Sequence, residues 1–271
     1  MPAKQIVASG AFDNLRSRDL RFLHEASKLG ELSVLLWPDE IIEQISGRPP
    51  KFPLTERRYF LSAVRYVSRV SELKDFANPD ILPENVRASI WADYEPTANP
   101  AREKFCRDKQ ISYRIFSDDI LKVFPLPAPA PVPSGRKKVI VTGSFDWFHS
   151  GHVRFFEEAS TYGELFVVVG HDANIRLLKG PGHPLLSQEE RRYAVSTIKY
   201  VKEALISTGH GWLDAEPEIQ RLKPDLYAVN EDGDKGGKRE YCEKLGIEYL
   251  VLKRIPATGL PSRSSTVLRG F

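Results

Sequence analysis

Two histidines separated by Ser-Gly, His149 and His152, stand where an apolar run ends and an amphipathic stretch begins. The run at 139–141 predicts a buried parallel strand, and the stretch from about 151 to 162 predicts a helix. A strand entering a helix through a small-residue turn makes an anion site. The first-turn N–H groups point outward without partners, and the helix dipole adds positive potential. Imidazole N–H groups at that point can donate to phosphate oxygens, and Gly151 lets a nucleotide approach the backbone closely. No Cys–His or Ser–His spacing pairs a nucleophile with a base. These residues suit a reaction whose substrate brings its own nucleophile, a phosphate, while the protein supplies positioning and charge stabilisation.

The stretch Gly143-Ser144-Phe145-Asp146-Trp147-Phe148-His149-Ser150-Gly151-His152 resembles the signature G-x-F-D-x-x-H-x-G-H of the HxGH nucleotidyltransferases. The nearest pattern is that of the cytidylyltransferases that activate phosphorylated alcohols, and every fixed position is present. The resemblance covers essentially all of 137–271. It implies a Rossmann-like fold, in-line attack on the α-phosphate of a nucleoside triphosphate, and release of pyrophosphate. Mg2+ would bridge phosphate oxygens with few protein ligands; no metal-ligating residues are assigned. His149 and His152 become catalytic residues, with Thr142, Gly143, Ser144, Phe145, Asp146 and Gly151 around the nucleotide.

Three further elements carry the resemblance. Lys179-Gly180 has the spacing to Glu190-Arg191 of the ethanolamine-phosphate cytidylyltransferases. This implies Lys179 as a third catalytic group on a mobile loop, with Arg191 at the nucleotide. Lys199-Tyr200-Val201-Lys202-Glu203 is similar to the family's R-Y-V-D-E element, which lies beside the cytosine, and places Lys199 at the nucleotide. Lys199 replaces the arginine and Lys202 the aspartate. An ammonium does not replace a planar guanidinium, so the choice of CTP over ATP stays open. Ser264, Ser265 and Thr266 resemble the I-S-T-[ST] start of a second phosphate-binding helix; a plain helix N-cap is the alternative. Asp232 falls where members of the family carry an aspartate near the nucleotide.

These residues need elements to position them. Strands are expected at 138–142, 164–170, 203–207, 226–230 and 249–252, and helices at about 153–162, 188–196, 215–222 and 238–245. The alternation argues an α/β fold with a doubly wound parallel sheet, whose ligands bind at the carboxyl ends of the strands.

The first half repeats this pattern. Ala8 to Phe22 lies over Val141 to Phe155 without a gap, Glu56-Arg57-Arg58-Tyr59 over Glu190-Arg191-Arg192-Tyr193, and Phe105-Cys106 over Tyr241-Cys242. Two tandem Rossmann-like domains are therefore expected: 1–124, a Pro-rich linker at 125–136, and 137–271. Arg16, Arg18 and Asp19 replace His149, Gly151 and His152. A long side chain and a carboxylate stand where a triphosphate would lie, so 1–124 reads as a non-catalytic copy. Members of the family pair through the R-Y-V face, and both halves carry it. An intramolecular pseudo-dimer is expected, with further homo-oligomerisation open.

A net charge of +3 is too weak to argue for nucleic acid or an anionic membrane. Two cysteines exclude a disulfide scaffold and a zinc cluster. No signal-like or membrane-spanning run occurs, so a cytoplasmic setting is expected. The leading reading is transfer of CMP from CTP to phosphoethanolamine, glycerol phosphate or a similar phosphorylated alcohol. The alternatives are adenylyl transfer from ATP to a sugar phosphate or similar acceptor, and a non-enzymatic nucleotide sensor or scaffold.

Overall fold

The computed structural model describes residues 3–73, 78–126 and 135–268, except the side chains of 266 and 267. The chain divides into two compact units, Met1–Phe124 and Pro125–Phe271. Most of the predicted Pro-rich linker, 127–134, lies outside the described residues.

In the first unit the elements run β1 (Gln5–Gly10), α1 (Ser17–Ser27), β2 (Glu31–Leu36), α2 (Asp39–Ser46), α3 (Leu54–Ala63) and β3 (Arg69–Glu72). They continue as β4 (Ile90–Tyr94), α4 (Pro100–Asp108), β5 (Ser112–Phe116) and α5 (Asp118–Leu121). The second unit begins with β6 (Lys138–Gly143), α6 (Ser150–Ser160), β7 (Glu164–Val169), α7 (Asp172–Lys179), α8 (Gln188–Ser196) and β8 (Val201–Ile206). It ends with α9 (Glu216–Leu222), β9 (Leu226–Asn230), α10 (Lys238–Leu245), β10 (Glu248–Leu252) and α11 (Ser265–Leu268).

Each unit holds one five-stranded sheet, in the orders β3-β2-β1-β4-β5 and β8-β7-β6-β9-β10, and all pairings are parallel. The two orders are the same, as the internal repeat requires. All six residues of β7, Glu-Leu-Phe-Val-Val-Val, are buried, because a parallel sheet is covered on both faces. Ile140, Val168, Ile219, Tyr227 and Cys242 pack into one core cluster of the second unit. Cys106 and Cys242 hold equivalent buried positions on α4 and α10. The units differ between their third and fourth strands: α9 has no helical counterpart among the described residues of the first.

In the second unit the chain winds outward from β6 through β7 to β8, then returns to β9 on the other side of β6. Such a switch point opens a crevice at the strands' carboxyl ends, and α6 starts there. Helices α8 and α10 have the expected bounds. Helix α6 begins at Ser150 rather than 153, and β8 begins at Val201 rather than 203. Helix α7 was not expected. Among the described residues no helix is long and apolar enough to cross a membrane.

Candidate functional site

The turn leaving β6 is shaped by Phe145, whose backbone is left-handed at φ +49, as is its counterpart Phe12 at φ +45. That conformation turns the Phe145 ring beneath the strand end. A Cβ on Gly143 would lie 2.8 Å from the ring, so only glycine fits. The ring then meets His152 edge-on at 5.3 Å, and Phe148 stacks on His152 at 5.4 Å. Two aromatic rings therefore pack against His152.

His149 is the N-cap of α6. Its Nδ1 accepts the Gly151 N–H at 3.1 Å, so in the neutral ring the proton sits on Nε2. The ring folds back over the helix start, and a Cβ on Gly151 would come within 2.9 Å of it. Gly151 therefore makes room for the histidine as well as for a ligand, which the spacing alone did not show. The two imidazoles lie 4.0 Å apart. His149 Nε2 and His152 Nδ1 have no hydrogen-bond partner among the described residues, although both are buried. Buried polar atoms are rarely left so, and here both belong to a cleft wall.

Lys179 is the last residue of α7, not part of a loop, and Gly180 caps that helix at φ +82. The N-cap His171 accepts from the Asn174 N–H at the other end of the helix. Lys179 Nζ donates to Ser144 Oγ at 2.8 Å, reaching to the β6 turn. Thr142 Oγ1 is paired with the Tyr227 hydroxyl at 2.7 Å.

These groups surround a cleft of about 470 Å³. Of the residues predicted to act, Thr142, Gly143, Ser144, Phe145, His149, Gly151, His152, Lys179, Asp232, Ser264 and Ser265 line it. The Thr266 side chain lies outside the described residues.

Three predicted residues are elsewhere. Asp146 is buried and accepts the N–H groups of Leu185 and Leu186 at 2.7 and 3.1 Å, tying down the segment before α8. Arg191 is fully buried. It donates to the carbonyls of Leu186, Ser144 and Gly170 and to Asp172 Oδ1 at 2.6–3.0 Å, so its guanidinium holds the turns that frame the cleft rather than facing a ligand. Lys199 is exposed just before β8, at the amino end of a strand whose carboxyl end faces the site, with its ammonium over the Tyr200 ring. Lys202, early in the same strand, pairs with Glu164 at 2.9 Å. Lys199 and Lys202 are not among the residues that line the cleft.

The structure adds residues that spacing missed. Arg254, two positions past β10, lines the cleft. It donates to Asp232 at 2.7 Å and to the Arg263 carbonyl at 2.7 Å, holding the segment before α11. Lys238, at the start of α10, also lines the cleft and donates to the Gly233 carbonyl. Burial lowers its pKa. The repeat alignment offered one signal, since Lys238 lies over Arg102.

The site is electropositive. Burial, then Arg254 and Arg263, hold the His149 pKa down to about 3. Burial, then His149, Arg254 and Lys179, hold His152 well below its ordinary value. Both rings are neutral at physiological pH and sit in a field that favours an incoming polyanion.

Residues 140–270 match the family described as cytidylyltransferase-like. The chain is 38% identical over 120 residues to the FAD synthase of Ferroglobus placidus, covering 43% of this chain and 75% of that protein. It is 40% identical over 138 residues to the FAD synthase of Pyrococcus horikoshii, covering 49% and 90%. With that of Korarchaeum cryptofilum it shares 33% over 139 residues, covering 49% and 90%. The neutral histidine pair at the start of α6, the cationic cleft and these relatives agree: the chain belongs to the cytidylyltransferase-like family of the HxGH nucleotidyltransferases and is an enzyme of that class.

Proposed function

We propose that the second unit transfers an adenylyl group from ATP to the phosphate of a flavin mononucleotide-like acceptor and releases pyrophosphate. The observation that carries this reading is the pair of unpartnered imidazole nitrogens in the same cleft as the Lys179–Ser144 contact. The relatives' name supports the choice of ATP, because FAD contains an adenylyl half. The reading of CTP with a phosphorylated alcohol rests on the resemblance to the cytidylyltransferases, and the departures at Lys199 and Lys202 leave the choice of CTP over ATP open.

In the reaction, an acceptor phosphate oxygen attacks the α-phosphorus in line. A new P–O bond forms as the bond to the bridging oxygen breaks, and the electron pair leaves with pyrophosphate. His149 Nε2–H, His152 and Lys179 meet the charge that grows on the α-phosphate and leaving oxygen. The start of α6, Ser264, Ser265 and Arg254 hold the outgoing phosphates. Among the described residues no group of three or more His, Cys, Asp or Glu side chains could hold a metal ion. Asp214 and Asp232 are the carboxylates that line the cleft and would be the residues to hold a Mg2+ arriving with the nucleotide, which would neutralise phosphate charge.

The first unit is without this activity in the same reading. Arg18 stands in Gly151's place and pairs with Asp118, which occupies the position of Arg254. Tyr94 replaces Asn230 and donates to Asp19 at 3.0 Å. Trp37 replaces Gly170; both donate their N–H to the last glycine of the central strand, Gly10 or Gly143. Larger side chains fill the positions that leave the second cleft open.

The test is pyrophosphate release from ATP, CTP, GTP and UTP against flavin mononucleotide, phosphoethanolamine, glycerol 3-phosphate and sugar phosphates. ATP with flavin mononucleotide should be fastest. A preference for CTP with phosphoethanolamine would overturn the proposed substrates, and no release from any pair would favour the non-enzymatic sensor.

A further inference from the structure

Helix α7 carries Lys179, yet little apolar contact holds it in place. Of its eight residues only Asn174 and Ile175 are buried. Its main packing partner is the short turn Gly211–Leu213 after β8. A helix this short is marginal by itself, and one buried aliphatic side chain adds little. Polar contacts must therefore fix its position.

Asn174 is 1% exposed, and both ends of its amide go to one residue. Its Oδ1 accepts the Gly211 N–H at 2.8 Å, and its Nδ2 donates to the Gly211 carbonyl at 3.0 Å. His171, the N-cap, adds a second tie to the same segment. Its backbone N–H donates to Ser207 Oγ at 2.9 Å, and its Nε2 lies 2.8 Å from the Gly209 carbonyl. Because Nδ1 accepts the Asn174 N–H, Nε2 carries the proton and donates to that carbonyl. The anchoring segment is itself closed: Ser207 Oγ donates to Asp214 Oδ2 at 2.6 Å, and the Gly209 N–H to the Asp214 carbonyl at 2.9 Å. The first turn of α7 is thus bound to residues 207–211, while its last residue, Lys179, reaches Ser144.

The first unit shows what this arrangement is for. Helix α2 lies over α7 residue for residue, and Asp39 and Asp172 each accept from the buried arginine of their unit. That tie serves the fold and is present twice. The others are not: Pro38 stands for His171, Ile41 for Asn174, Ser46 for Lys179 and Ala11 for Ser144. Ile41 is buried, so an aliphatic side chain suffices for packing at this place. A buried amide needs hydrogen bonds merely to offset its desolvation, so Asn174 serves more than packing. The ties to the 207–211 segment occur in the unit that has the lysine and the histidine pair.

We infer that Asn174 is a positioning residue for Lys179: with His171 it docks α7 on the 207–211 segment, so that the ammonium is held at the β6 turn. The catalytic consequence rests on the nucleotidyl-transfer reading above; the placement of the ammonium does not.

The test uses the full chain with Asn174→Ile, Asn174→Asp, Lys179→Ala and the double variant Asn174→Ile/Lys179→Ala. The buried Ile41 of the first unit indicates that Asn174→Ile should fold, read by circular dichroism. One measurement needs no turnover: acylation of Lys179 by a succinimidyl ester, followed by peptide mass spectrometry. It should quicken about threefold in Asn174→Ile, the worth of one hydrogen bond, and match Ser144→Ala. In steady-state pyrophosphate release, Asn174→Ile should lower kcat about 10–100-fold, with both KM values within about twofold. In the Lys179→Ala background the same change should cost no more than about twofold. Asn174→Asp keeps the acceptor for the Gly211 N–H and should fall between wild type and Asn174→Ile. Losses that multiply in the double variant, or unchanged acylation of Lys179, would overturn the positioning role. So would a raised KM with kcat unchanged, which marks a ligand contact. Faster acylation of Lys179 in Asn174→Ile, without pyrophosphate release even in wild type, would support the positioning and sink the transfer reading alone.

Discussion

Arg57 and Arg191 make the same set of hydrogen bonds in two units that have diverged at the site between those bonds. Arg57 donates to the carbonyls of Phe52, Ala11 and Trp37 and to Asp39; Arg191 donates to those of Leu186, Ser144 and Gly170 and to Asp172. The first unit keeps this guanidinium although it has lost His149, Gly151 and His152. Asp13 likewise binds the N–H groups of Lys51 and Phe52 as Asp146 binds those of Leu185 and Leu186. These residues hold the architecture of the turns, whatever chemistry the turns carry.

Replacing either arginine should therefore lower stability first. Arg57→Ala and Arg191→Ala each leave three carbonyls and a carboxylate without their donor, and each should cost about 3–5 kcal/mol in urea unfolding. Below the unfolding transition, Arg57→Ala should keep kcat within about twofold, while Arg191→Ala should lower it. Equal loss of ATP affinity without loss of stability in Arg191→Ala would show that it touches the nucleotide directly.

His149→Ala and His152→Ala should keep the fold, read by circular dichroism, and lower pyrophosphate release about 10²–10³-fold. Gly151→Ala should behave like His149→Ala, because the added methyl meets the His149 ring at 2.9–3.0 Å. Full activity in Gly151→Ala would mean that the ring position is unimportant.

The depressed pKa of His149 predicts a signed effect of pH on stability. The folded state keeps the ring neutral down to about pH 3, whereas the unfolded chain takes up the proton near 6.5. Stability is therefore greatest above pH 6.5 and falls as pH drops from 6.5 toward 3. His24, held down to about 4 chiefly by burial, acts in the same direction. In urea titrations, His149→Gln should lose less stability than wild type between pH 7 and pH 5. Identical slopes would refute the neutral buried ring.

Calorimetry should find one ATP per chain. Arg16→Ala and Asp19→Ala should leave its affinity unchanged, since Asp19 is engaged by the Arg16 N–H and Tyr94 hydroxyl and Arg18 by Asp118. Two bound nucleotides would show that the first unit retains a working site.

Much of this protein is written locally. The duplication, the strand that delivers Gly143, and the His149–His152 pair follow from runs of neighbouring residues, because strand burial and a helix start depend on short-range pattern. Helix α8 keeps its predicted start for the same reason: Ser187 caps it through the Glu190 N–H. Helix α10 ends as predicted because Gly246 takes the left-handed conformation that follows a helix. Helix α7 escaped the reading because its eight residues are short and its N-cap is a histidine bonding three residues ahead. The roles of Arg191, Lys199 and Arg254 are matters of tertiary structure. Whether a guanidinium faces a ligand or three carbonyls depends on where β6 and β7 end in space. Whether a lysine is near the site depends on which end of a parallel strand it occupies. Arg254 reaches the cleft with His149 only because β9 and β10 return to the far side of β6, a pairing of distant segments that no local pattern encodes.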